Sequence, residues 1–419
     1  MTDYQHGCEE FQQLTKGLDR RSFIRSVMAV GGGLVIAGDP GMTYALAAPG
    51  EAQDTVVTIT MRGGMDGLMA VPLLGSSTFR SYRPTTALQD FEAHKLDGMF
   101  GLHKNLGEFK KLYDLGQLAV VHAVGTPTGT RSHFDDQRAV ELAAYDAPTT
   151  QGGWQARYLK AAGHTEVLSG FSASRNSPAS FRTAPQAVSF QSLADIELLP
   201  VGRSKQDYLN LVQGLHDGRT SSWSKAATAT VKASEYLSTI STTTTVTYPD
   251  DAFSRRLKLL ADLLKSGVPI KTANVEFQGD LDVHDDAGIR EGVMAANFTR
   301  LNDGIAAFRS DIGAFWDKLV MVTITEFGRR LQENASAGLD HGWASAMFVM
   351  GGNVRGGKVI AKWPGIEKAD LLNGDLRVTT DYRDVLASVL VGRAGMSTKG
   401  LQEVFPSFKF SPLDLVKLG

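Results

Sequence analysis

Val320-Met321-Val322-Thr323-Ile324 is apolar or β-branched at every position, and it stops abruptly at Thr325-Glu326-Phe327-Gly328-Arg329-Arg330. A strand with no polar face must be covered on both sides, as in a parallel sheet sandwiched between helices. Similar runs stand at 55–61, 118–124, 272–278 and 346–351, and helical spacing occurs at 106–115, 154–162, 225–240, 252–265, 287–315 and 381–392. This alternation predicts an α/β fold, with a central, mostly parallel sheet covered by helices on both faces. In such sheets ligands bind outside the carboxyl ends of the strands, which is where Glu326 falls.

Four places put an acid, a histidine or a hydroxyl at such an end. Asp66 follows Gly63-Gly64 after the first strand, where Asp-Gly also suits a simple turn. Ser132 starts a helix with Asp135 three residues on, a spacing that suits a cap. The same spacing suits an attacking hydroxyl beside the free N–H groups of a helix start, with Arg131 and His133 adding charge or a base. Gly279-Asp280-Leu281-Asp282-Val283-His284 alternates polar and apolar, so in extended chain Asp280, Asp282 and His284 share one face and could hold a divalent cation. Asp340-His341-Gly342 offers a ligand and a neighbour that orients it, in either order.

The amino-terminal segment reads as an address. Asp19-Arg20-Arg21-Ser22-Phe23-Ile24-Arg25 is a twin-arginine pattern, a short apolar stretch follows, and Ala45-Leu46-Ala47 is a small-x-small cleavage signal. Residues 1–47 are therefore expected to be a removed leader, with the twin-arginine translocase as partner during export to a periplasm or the exterior. Residues 48–419 are expected to form one domain, with an insertion at about 164–250. The single cysteine, Cys8, lies in the leader, so carboxylates, imidazoles, hydroxyls or carbonyls must hold any metal. A formal net charge of −2 argues against nucleic acid as partner, and no later apolar run is long enough for a stable membrane span.

Gly-Gly-Met-Asp-Gly-Leu (63–68), Arg-Ser-His-Phe (131–134), Gly-Gly-Trp-Gln-Ala-Arg-Tyr-Leu (152–159), Thr-Glu-Phe-Gly-Arg-Arg with Glu333-Asn334, Asp340-His341-Gly342 and Thr380-Asp381-Tyr382-Arg383 together resemble a bacterial family. This is the domain of unknown function number 1501, usually exported by the twin-arginine route and grouped with the alkaline phosphatase and sulfatase superfamily. The resemblance implies one alkaline phosphatase-like α/β domain holding up to two divalent metals around a nucleophile. By that likeness Asp66 matches the acid after the first strand, Ser132 the nucleophile, and Asp282 with His284 the acid–histidine pair of one metal. Glu326 matches the acid of Ser-Asp-His-Gly, and His341 the later histidine. Phe327 stands where that motif has its histidine, and the signature that matures to formylglycine is missing around Ser132.

These readings predict a metal-dependent hydrolase or transferase acting on a small or polymer-linked anionic ester, phosphate before sulfate. One or two divalent ions (Zn, Mn, Ca or Mg) would sit among Asp66, Asp282, His284, Glu326, Asp340 and His341. Ser132, His133 and Arg329 would act on the ester, Arg329 as a planar clamp for the anion. The alternative is a binding or structural protein on the same scaffold with a degenerate metal site.

Overall fold

The computed structural model describes residues 54–147, 150–184, 186–193, 236–240 and 244–417. The predicted leader, the helical stretch at 225–235 and most of the expected insertion lie outside the described residues. The strands are β1 (Thr55–Met61), β2 (Ala93–Lys95), β3 (Gly101–His103), β4 (Leu118–Gly125), β5 (Gly170–Ser172), β6 (Ala187–Ser189), β7 (Thr272–Phe277), β8 (Leu319–Ile324), β9 (Ser345–Met350), β10 (Lys358–Ile360) and β11 (Thr380–Asp381). The helices are α1 (Gly67–Ala70), α2 (Ser77–Tyr82), α3 (Gly107–Asp114), α4 (His133–Leu142), α5 (Trp154–Ala161), α6 (Ala252–Lys265), α7 (Val293–Ile312), α8 (Tyr382–Ala394) and α9 (Thr398–Val404).

One sheet runs in the order β10-β4-β9-β8-β1-β7-β5-β6, with β11 beside β4, while β2 and β3 pair separately. All its pairings are parallel except those of β9, which is antiparallel to both β4 and β8. The carboxyl ends of β1, β4, β7 and β8 therefore share one edge, and β9 begins at that edge.

The two faces can be read from side-chain alternation. β8 sends Leu319 and Met321 into one core and Val320, Val322 and Ile324 into the other. The first core holds Phe109 of α3, Leu257 and Leu260 of α6, and Phe298 and Leu301 of α7. The second holds Trp154 and Tyr158 of α5, Val385 and Val389 of α8, and Val404 of α9. Each such buried side chain contributes about 1.5–3 kcal/mol. This double cover is why these strands lack a polar face: the sheet is mostly parallel, with helices on both sides. Among the described residues, no helix is long and apolar enough to cross a membrane.

Candidate active site

Sheet register sets the first contact. Thr60 of β1 lies beside Ile324 of β8, so the chain just past each strand runs adjacent. There the Gly63 amide donates to Glu326 Oε1 at 2.8 Å. After β4, the loop to α4 is pinned by Asp136, which accepts from the Thr130 amide at 2.9 Å and the Arg131 amide at 2.7 Å. Arg131 adopts φ +65°, a left-handed conformation that non-glycine residues seldom take. Its carbonyl accepts from His341 Nδ1 at 2.9 Å.

His341 itself comes from the lead-in to β9. The Gly328 amide donates to the Trp343 carbonyl and the Gly342 amide to the Gly328 carbonyl, each at 3.0 Å, zipping this lead-in to the chain after β8. A side chain at Gly342 would collide with the Arg329 backbone, and one at Gly338 with the His284 backbone. The glycines of Gly-Leu-Asp-His-Gly thus permit the close approach that brings His341 and His284 together.

Three imidazoles converge on one buried oxygen. Asp282 Oδ1 lies 3.3 Å from His133 Nε2, 3.0 Å from His284 Nε2 and 3.0 Å from His341 Nε2. His341 Nε2 is also 3.2 Å from Nε2 of both His133 and His284. The opposite nitrogen of each ring is anchored: His133 Nδ1 to Glu326 at 2.7 Å, His284 Nδ1 to Asp340 at 3.1 Å, and His341 Nδ1 to Arg131. Anchoring Nδ1 to an acceptor leaves the Nε2 lone pairs aimed inward, the arrangement of metal-binding histidines. His133, Asp282 and His341 offer donor atoms all within 4.8 Å of one another. Donors around a tetrahedral ion with bonds near 2.0–2.1 Å stand about 3.3 Å apart, so the set fits a divalent ion.

Charge is concentrated here. Burial opposes ionisation of Asp282, but hydrogen bonds from His133, His284 and His341, with the Arg329 charge, hold it well below the usual carboxylate range. Burial likewise works against Glu326, yet His133 outweighs it and lowers the carboxyl to about 2. Desolvation pulls His133 down, and its bonds to Asp282 and Glu326 overcome that to raise it to about 9. His284 is raised by its hydrogen bond to Asp282 against burial. Without an ion, the cluster compensates itself with protons.

Residues 154–393 match the profile described as "Protein of unknown function (DUF1501)". The chain belongs to the DUF1501 family. A search of curated proteins finds no match. Among solved structures, the chain is similar to the C-terminal periplasmic domain of EcEptC from Escherichia coli in complex with Zn, at TM-score 0.39 and 13% identity, covering 90% of this chain and 97% of that one. It is also similar to the lipoteichoic acid synthase LtaP from Listeria monocytogenes, at TM-score 0.35 and 8% identity, over 84% and 80% of the two chains. The PsFucS1 sulfatase from Pseudoalteromonas sp. gives TM-score 0.36 and 10% identity, over 95% and 75%. At such TM-scores none of these likenesses assigns an activity.

In this DUF1501 chain the sequence-predicted residues divide. His133, Asp282, His284 and His341 meet, with Glu326 and Asp340 behind two of the rings. Asp340 orients His284 rather than its neighbour His341, and Asn334 Nδ2 steadies it at 3.2 Å.

Asp66 is occupied elsewhere. It caps α1 through the Leu68 amide at 2.8 Å and pairs with buried Arg83 at 2.6 Å, so its oxygens serve folding and not a metal. Arg329 is also corrected: it is 2% exposed and donates to Asp282 and to the carbonyls of Gly63, Gly64, Leu281 and Leu339. That leaves no guanidinium face for a substrate anion. Ser132 is the N-cap of α4, and its Oγ accepts loosely from the Asp135 amide at 3.5 Å. Asp280 gives its carbonyl to Asn297 and is outside the donor set.

Sequence reading missed Gln137, whose Nε2 donates to Glu326 at 3.0 Å while its Oε1 accepts from Arg62 at 2.5 Å. Its signal was there: Gln137 stands four residues after His133 and so shares its helix face.

Proposed function

We propose that this chain is an exported, metal-dependent hydrolase or transferase acting on an anionic ester, a phosphate mono- or diester before a sulfate. The observation that carries the reading is the convergence of three imidazole Nε2 atoms on Asp282 Oδ1, each ring anchored from behind. His133, Asp282 and His341 would hold the ion, with His284 beside them. Of the four candidate ions, imidazole-rich donors suit Zn better than Mn, Ca or Mg. When bound, a divalent ion supplies Lewis-acid polarisation of an ester oxygen. Among the described residues no second group of three donors gathers, which favours one ion over two.

Ser132 is the proposed nucleophile. It stands between Arg131, whose carbonyl holds His341, and His133, which touches Asp282. The positive dipole end of α4 lies beside it, set against Asp135 and Asp136 in the same first turn. Its Oγ would form the new bond to phosphorus as the bond to the leaving alcohol breaks, the serine proton ending on the alcohol oxygen, and water or an acceptor alcohol would then take the phosphoryl group and return the proton to Oγ. The twin-arginine leader supports export and the translocase as partner.

One feature favours a second reading, a binding protein with a degenerate site. The Phe327 ring packs at 4.7 Å from both His133 and His341 and closes one side of the cluster with a non-ligand. Elemental analysis of the purified protein beside His341→Ala tests the metal. Near-stoichiometric metal that drops in the variant supports the site, and its absence after incubation with divalent ions sinks it. Nitrophenyl phosphate mono- and diesters and sulfates then separate the two readings. A flat response from metal-loaded protein would favour the binding protein.

A further inference from the structure

Beside the imidazole cluster, between α4 and the chain after β5 and β7, lies an open cleft of about 800 Å³. Its cationic lining is entirely arginine: Arg62, Arg138, Arg175, Arg182 and Arg256. Two of these are spent on the protein. Arg62 pairs with Glu141 and Glu276, each at 2.6 Å, and buried Arg256 donates to the Glu276 carbonyl and Gln278. The other three are exposed, and none has a carboxylate partner among the described residues. Arg175 donates to Gln191 at 3.0 Å, while the Arg138 and Arg182 side chains make no hydrogen bond or ion pair among the described residues. The remaining acid of the wall, Asp135, is exposed.

Five arginines against three acids, on a chain of net charge −2, leave this concave wall with a surplus of positive charge. The guanidinium fork matches oxyanions in two-point fashion, which an ammonium does not. The cleft also adjoins the cluster. Gln137 lines it and holds Glu326, which holds His133. Arg138 stands five residues along α4 from His133, about 8 Å up the axis.

We infer that this cleft is a second oxyanion subsite, so that the substrate is a polyanion carrying a further phosphate or sulfate beyond the ester to be cleaved. The inference rests on the reading of the cluster as an anionic-ester site and names its substrate class.

Titration calorimetry on chelator-treated protein tests it without metal or turnover. The probes are orthophosphate, inorganic sulfate, tripolyphosphate and a dextran sulfate oligomer. Wild type should bind at least one multivalent probe tenfold or more tighter than the matching single anion. Arg138→Ala/Arg182→Ala should lose that margin, while His341→Ala should keep it. Preference for tripolyphosphate assigns phosphate as the repeating group, and preference for dextran sulfate assigns sulfate.

Four results would overturn the subsite: no preference for multivalent anions, an unaffected double arginine variant, equal loss in His341→Ala, or equal loss in Arg355→Ala/Lys358→Ala. That last pair sits against Asp414, outside the cleft, and controls for net charge. Absent metal or turnover would sink the ester reading and leave this binding result standing; the reverse failure leaves the metal site intact.

Discussion

Arg329 Nη2 donates to Asp282 Oδ1 across 2.7 Å, with both side chains sealed from solvent. The guanidinium also ties together the turn after β1, the chain after β7 and the lead-in to β9 through their carbonyls. Arg329→Met keeps the bulk, takes from Asp282 one of its four charged or hydrogen-bonding partners and leaves those carbonyls without a donor. Removing one partner of a buried pair costs about 3–5 kcal/mol. Urea denaturation of the metal-free variant should show a loss of that size; a loss under about 1 kcal/mol would mean that Arg329 is not a strut.

Glu326→Gln should act on metal and not on shape. The ionised carboxylate can only accept, so the His133 Nδ1 facing it carries the proton and Nε2 is the free donor atom. An amide can offer an N–H instead and reverse that choice. Loss of such a partner typically weakens metal affinity by about 10–100-fold. Competition with a chromogenic chelator measures it; unchanged affinity would remove His133 from the ligand set.

Ser132→Ala separates cap from nucleophile. A well-made cap is worth about 1 kcal/mol, and the 3.5 Å contact from Ser132 Oγ to the Asp135 amide is long for one. The variant should therefore melt within a few degrees of wild type and lose at least about 1000-fold in turnover of an ester that wild type cleaves. Retained turnover at normal stability would end the nucleophile assignment.

Much of the architecture was written in local pattern. The apolar runs at 55–61 and 320–324 became the doubly covered β1 and β8, and the sheet edge that they define was legible from Glu326. The imidazole cluster was legible in part, because Asp282 and His284 sit two apart in extended chain and His341 carries its own glycine. Direction was not legible. Arg329 has the composition of an anion clamp, but the zip between 328–330 and 340–343 turns it inward, and that contact is long-range. Asp66 likewise looked like a ligand until Arg83, from α2's end, claimed its second oxygen. Pairing across distance decides which polar groups are left for chemistry.

His103 and His122 give the protein an acid limit that does not depend on the site. Both rings are buried, which lowers each to about 4 from 6.5 despite hydrogen bonds to carbonyls. His122 faces the Val71 carbonyl with one nitrogen and accepts the Ala123 amide with the other; His103 does the same with the Ile289 carbonyl and the Asn105 amide. A second proton would set N–H against N–H in each. Above pH 6.5 both states are neutral and the two residues add no pH dependence. Between about pH 6.5 and 4 the unfolded chain binds protons that the folded chain refuses, so stability falls with pH by roughly 3 kcal/mol per histidine. His133 acts in another window: its contribution is complete below pH 6.5 and fades as pH rises through about 9. Urea midpoints at pH 7 and pH 5 should therefore drop steeply in wild type, and less steeply in His122→Gln, whose amide can meet the same two partners without titrating. An equal drop in both would show that His122 accepts its proton while folded.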